Sequence, residues 1–213
     1  MFRFLFGLLI LAVCSSAANA QITAPTPDKA VVYFVRYNPS GFLIGFSYYD
    51  GREFIGKFAD THYFRYECEP GPHLFWAKAE NRSFIEADLL PGKIYVVEVR
   101  PLMGIVAARV RLLPLSGKES FWKRITLIVA NKKCTTIVAD EELAQVKELR
   151  QKRALEGQLK YQKLKDKGKE IKYLAPEMHV SIADFEYVSR KDRKKLKKEQ
   201  EHREEETKNR TKD

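Results

Sequence analysis

The chain has 213 residues, 45% hydrophobic and 12% aromatic, with a formal net charge of +10. That length suits one domain with extensions, and the apolar content is too high for a chain disordered throughout. Three cysteines and four scattered histidines exclude a disulfide framework and offer no metal-ligand spacing, so neither a metal nor a cofactor is expected.

The first twenty residues, MFRFLFGLLILAVCSSAANA, place Arg3 before an apolar run from Phe4 to Val13, with Ala18-Asn19-Ala20 behind it. This is the pattern of a secretory signal cleaved before Gln21, and the run is short for a membrane span. Cys14 offers a lipoprotein alternative, which the bulky Val13 before it disfavours. The expected mature chain is exported, periplasmic or secreted, with no transmembrane segment after cleavage. An oxidising compartment permits a disulfide between Cys68 and Cys134, although the inward strand register of Cys68 favours a buried free thiol.

Residues 21–28 read as a Pro-rich linker. The run 29–37, KAVVYFVRY, is continuously apolar and β-branched, as in a strand buried on both faces. FLIGFSYYD and REFIGKF flank Asp50-Gly51, a hairpin signal that rests on glycine's access to positive φ. HYFRYECE alternates, with Phe64, Tyr66 and Cys68 on the inward face and Tyr63, Arg65, Glu67 and Glu69 on the other. Pro70-Gly71-Pro72 forces a turn into HLFWAKAE, and further turns at 81–82 and 91–92 introduce SFIEADLL and KIYVVEVR. IVAARVRLL closes the series. Eight short strands with turn signals and no intervening helix predict a small antiparallel β-sandwich over 29–115. The fold class is mainly β, with C-terminal helices and a charged tail.

Beyond Pro114 the pattern becomes helical. Ser116 and Glu119 form a capping box that opens a helix over 117–130, with Phe121, Ile125 and Ile128 as its stripe and Trp122 beside them. A second helix spans 140–168 with a thin seam of Leu143, Val146, Leu149, Leu155, Leu159 and Leu164. Residues 173–188 are too apolar for a free linker and are expected to dock. The extension covers 116–188, and 189–213 is a basic tail, helical through charge pairing or disordered. Charge is placed unevenly: residues 21–115 hold 11 basic and 10 acidic side chains, whereas 116–213 hold 26 and 18. The second half therefore points to an anionic partner.

The order VVYFVRY, YYDGREFIG, YFRYECEPGPHLFWAKAEN, LLPGKIYVVEVR and MG, over about residues 30–114, resembles a bacterial secreted or lipoprotein family known only as a domain of unknown function. Its members are similar to small PEGA-like or transthyretin-like sandwiches. The resemblance implies an envelope module that binds or supports a partner, and it carries no catalytic constellation.

The residues themselves point the same way. No serine sits in a nucleophile elbow, no glycine-rich phosphate loop occurs, and Cys68 lacks an evident oriented base, with His62 and His73 only nearby in sequence. A non-enzyme is expected. Pairing across the turn at 70–72 is expected to bring Trp76 and Lys78 beside Tyr63 and Arg65 on an outer sheet face. Such a patch could stack on a sugar or peptide ring, and the 117–130 helix is its expected cover otherwise. In the tail, Arg190, Lys191, Arg193, Lys194, Lys195, Lys197 and Lys198 form a basic run suited to an anionic surface. The expected partners are an envelope protein, a glycan or an anionic lipid surface, and export argues against nucleic acid. The expected function is a non-catalytic exported envelope module whose basic extension docks on such a surface. The alternative is a structural protein that oligomerises through helix 140–168.

Overall fold

The computed structural model describes residues 22–37, 45–58, 63–104, 108–131 and 144–185. Among these residues nine strands form two sheets. The first has four strands in the order β4-β1-β7-β8 and the second has five in the order β3-β2-β5-β6-β9. The strands run β1 Ala30–Val35, β2 Phe46–Asp50, β3 Glu53–Phe58, β4 Tyr63–Cys68, β5 Gly71–Lys78, β6 Arg82–Leu89, β7 Ile94–Met103, β8 Ala108–Leu115 and β9 Lys172–Leu174. The helices are α1, Trp122–Asn131, and α2, Ala144–Asp166.

The main core lies between the sheets. Val32 and Phe34 of β1, Phe64 of β4 and Val97 of β7 face Tyr48 of β2, Phe75 of β5 and Ile85 of β6, all buried. Aromatic contacts knit the layers together: Phe34 meets Phe75 edge-on at 5.6 Å between ring centroids, and Tyr48 meets Phe64 at 5.3 Å. β1 is central in its sheet, and all six of its residues are buried. Its uninterrupted apolar sequence follows from having no wet face.

Two strand pairs depart from the antiparallel reading. β1 pairs with β7 in parallel and β6 pairs with β9 in parallel, while the other pairs are antiparallel. A parallel pair needs a long crossover, and the lack of a helix among the eight predicted strands argued against one. For β1 and β7 the connection runs through β2 to β6, all but β4 in the opposite sheet, and for β6 and β9 it contains α2. β9 itself was not expected as a strand.

The extension clamps both outer faces. Ile125 and Val129 of α1 bury against Val31, Tyr33 and Tyr63 on the four-stranded sheet. The capping box forms, with Ser116 N donating to Glu119 Oε1 at 2.6 Å, but regular helix begins only at Trp122 because the chain first makes a turn over 119–122. The segment after β9 docks as expected. Val180 N donates to Ile94 O at 2.8 Å, and Phe185 is buried beside Tyr33 and Trp122. On the five-stranded sheet, α2 lies over Tyr49, Trp76 and Phe84 through Ala154, Tyr161 and Leu164. No described helix is long and apolar enough to cross a membrane.

Candidate functional site

The proposed patch of Tyr63, Arg65, Trp76 and Lys78 does not assemble. β4 pairs with β1 and β5 pairs with β2 and β6, so the turn at 70–72 carries the chain from one sheet to the other instead of closing a hairpin. The proline at 70 removes a ladder donor and Gly71 takes φ 106°, a combination that breaks the pairing at the corner. Tyr63 is 1% exposed beneath α1 and its neighbours. Arg65 lies half-buried on that side, paired with Glu67 at 2.7 Å. Trp76 is 1% exposed on the opposite sheet, stacked on Tyr49 at 4.0 Å. Its Nε1 donates to Gly51 O at 2.9 Å.

Trp76 is covered by a helix, but by α2 and not by α1 as the stripe of 117–130 suggested. Gly157 lets α2 approach: a Cβ there would lie 2.3 Å from Trp76 Cζ2. Around this contact Glu156 pairs with Arg82 at 2.6 Å, Arg150 lies 3.7 Å over the Phe54 ring, and Tyr161 donates to Glu86 at 2.6 Å. Of the expected seam of α2, Leu164 packs inward, whereas Val146, Leu149, Leu155 and Leu159 are exposed. Small residues, Tyr161 and Leu164, and not the other leucines, make the contact because the sheet offers a flat indole and not a groove. Lys78 is half-buried near the rim of this contact, its ammonium weakened by burial and by the charges of Arg82 and Arg153.

One constellation has catalytic residue types. His73 Nδ1 lies 2.6 Å from Asp50 Oδ2, and its Nε2 lies 2.8 Å from Glu69 O. Tyr66 donates to the same Asp50 oxygen at 3.3 Å, and the His73 ring stacks on Phe75 at 5.3 Å. Both ring nitrogens face acceptors, so both must carry hydrogen and the ring is an imidazolium. Burial opposes that charge, but hydrogen bonds to Asp50 and Cys68, the Asp50 charge and the Glu69 carbonyl outweigh it and hold the pKa at about 10. A general base needs a nitrogen free of its proton near neutral pH. His73 instead works as a doubly donating clasp that ties the β4–β5 corner to the end of β2. Cys68 beside it is buried with a free thiol, as its register suggested. His62, Cys134 and the basic run from Arg190 to Lys198 lie outside the described residues.

A polar cleft of about 250 Å³ lies where β8 meets β6, β9 and the end of α2. Its charged lining is Arg82, Arg109, Arg111 and Lys172 against Glu170, and its apolar lining includes Phe84, Leu102, Leu164 and Ile171. Arg109 and Arg111 are exposed and alternate with buried Val110 and Leu112, so both stand on one face of β8. Arg100 lies directly across from Arg111 and is neutralised by a bidentate pair with Glu98 at 2.7 and 2.8 Å. Arg82 is neutralised by Glu156. Among the described residues no ion pair reaches Arg109, Arg111 or Lys172. With Glu170 as the opposing carboxylate, the cleft keeps an excess of two positive charges. Burial and the charges of Arg111 and Arg100 lower the pKa of Lys172. The alternation Arg-Val-Arg-Leu at 109–112 was the available signal for this site, and only the meeting of β8 with residues 164–172 turns it into a cleft. Among the described residues no cluster of His, Cys, Asp or Glu is arranged to hold a metal.

No family model, no curated protein and no solved structure matches the chain.

Proposed function

We propose that the chain is a non-catalytic, exported envelope module that binds an anionic partner. The observation that carries this reading is the cleft at β8, where Arg109, Arg111 and Lys172 face a single carboxylate, Glu170. Uncompensated positive charge against apolar walls raises the local potential and favours an anion. The doubly donating His73 supports a binding role over a catalytic one, because the imidazole beside Cys68 has no free nitrogen. In the same reading the basic run at 190–198 is a second, diffuse attachment to an acidic envelope polymer or anionic lipid surface. The test is a pull-down from envelope extract with the 21–213 chain, an Arg109→Ala/Arg111→Ala chain and a 21–189 chain. Capture that weakens in either altered chain and fades with added salt supports the module. Equal capture by all three, or none at low salt, removes it.

A second reading has its own observation. Leu155 is 49% and Leu159 71% exposed on α2. Two leucines four residues apart on an uncovered helix face suit pairing with a second copy of the chain. Light scattering decides this: a dimer that becomes a monomer on Leu155→Lys/Leu159→Lys supports it, and a monomeric parent chain dismisses it.

A further inference from the structure

We infer that the β8 cleft takes a phosphate monoester, with the phosphoryl group on Arg109 and Arg111 and the organic part against Phe84, Leu164 and Ile171. This names the ligand class of the cleft and rests on the binding reading above. Charge is the first argument. The cleft holds an excess of two positive charges, and a phosphate monoester carries about 1.5 to 2 negative charges near neutral pH. A monocarboxylate would leave one cation unmatched.

Geometry is the second argument. Side chains two residues apart on a strand stand on one face roughly 7 Å from each other, so two guanidinium groups can converge on one tetrahedral anion from either side. Each presents a planar fork of donors that matches phosphate oxygens. Lys172 Nζ already donates to Leu112 O at 2.8 Å, which aims the ammonium at β8 and leaves two N–H groups for a ligand. An anion there would also relieve the repulsion from Arg111 that weakens the Lys172 charge.

The walls supply the third. A fully ionic surface site needs no apolar lining, whereas this cleft sets Phe84, Leu102, Leu164 and Ile171 beside its cations. That combination fits an anion with an apolar body better than inorganic phosphate. Glu170 disfavours a second phosphoryl group on the same molecule.

The experiment uses the 21–213 chain and an Arg109→Ala/Arg111→Ala chain. Both positions are exposed, so the fold should persist, and circular dichroism checks that it does. Calorimetry with phenyl phosphate should give millimolar or tighter binding that weakens at least about tenfold in the double variant. Benzoate should bind the parent chain at least about tenfold more weakly than phenyl phosphate does. Phosphatidylcholine vesicles with and without phosphatidic acid then separate the sources. Vesicle binding lost in the double variant assigns a lipid headgroup, and vesicle binding unchanged by it assigns a soluble ester. Phenyl phosphate that fails to bind at about 10 mM, or binds both chains alike, overturns the inference. The run at 190–198 is intact in both proteins, so the soluble-probe result stands apart from the fate of the tail.

Discussion

Asn81 holds the backbone of Val110 from both sides: its Oδ1 accepts from Val110 N at 2.7 Å and its Nδ2 donates to Val110 O at 2.9 Å. β8 is the edge of its sheet, and its outward backbone groups would otherwise template another strand. Ser83 Oγ continues the cover by accepting from Leu112 N at 2.9 Å, and Lys172 Nζ donates to Leu112 O. Side chains of Asn81, β6 and β9 thus stand in for a neighbouring strand and fix the wall of the cleft.

Asn81→Ala leaves both polar groups of buried Val110 without these partners. A loss of about 1–3 kcal/mol is expected, with faster aggregation through the opened edge. Urea midpoints and light scattering on heating check this. An unchanged midpoint would show that water replaces the amide without cost.

Gly157→Ala has an expected sign opposite to helix propensity. In an unhindered helix interior the change stabilises by about 0.5–1 kcal/mol. Here the new Cβ would sit 2.3 Å from the Trp76 ring, which is itself fixed by the Tyr49 stack and by Gly51 O. α2 must lift, at an expected cost of about 1–3 kcal/mol through overpacking. Red-shifted Trp76 fluorescence with a lower melting temperature is the expected record. A gain in stability would mean that α2 does not rest on Trp76.

The His73 clasp makes stability depend on pH in a definite direction. Its folded pKa is about 10 against an ordinary 6.5, so the native state holds the proton more tightly than the unfolded chain. The contribution is full below 6.5 and is lost as pH rises through about 10. Its size should be on the order of 2 kcal/mol, once solvent screening of a half-buried group is allowed for. Denaturant midpoints across that window should fall more in the parent chain than in His73→Ala. Parallel profiles for the two proteins would rule the clasp out.

Strand β4 tests the layers. Phe64→Ala should cost about 3–5 kcal/mol, since the ring is 1% exposed and stacked on Phe34. Tyr63→Ala should cost a comparable amount although it faces the other way, because it too is 1% exposed. Arg65→Ala should cost under about 1 kcal/mol, since its pair with Glu67 is partly solvated. Equal losses at all three positions would contradict the register with β1.

Much of this architecture was legible along the chain. The alternation in 63–68 placed Phe64 and Cys68 in the core, the unbroken run 29–37 marked β1 as central, and the apolar content of 173–188 foretold the docking seen through residue 185. These readings succeed because hydrophobic patterning is a local property, written at short spacings along the chain. The candidate patch failed for a different reason. A turn signal at 70–72 states that the chain reverses, and it does not state whether the next strand returns to the same sheet or crosses to the other.

That choice belongs to tertiary structure, and so do its consequences. Tyr63 and Trp76 each read as outward on their strands, and each is buried because a distant segment covers it: α1 over one sheet, α2 over the other. Which helix takes which face depends on complementary shape, here the missing Cβ of Gly157 against a flat indole, and no periodicity encodes that match. The same holds for His73 and Asp50, 23 residues apart, and for the cleft that joins β8 to residues 164–172. By itself the sequence determined β1 to β8, the two helices and the uneven charge, because each follows from neighbours in the chain. Only the folded chain decided which faces met and where charge was left uncovered, because those outcomes depend on contacts between residues that the sequence holds far apart.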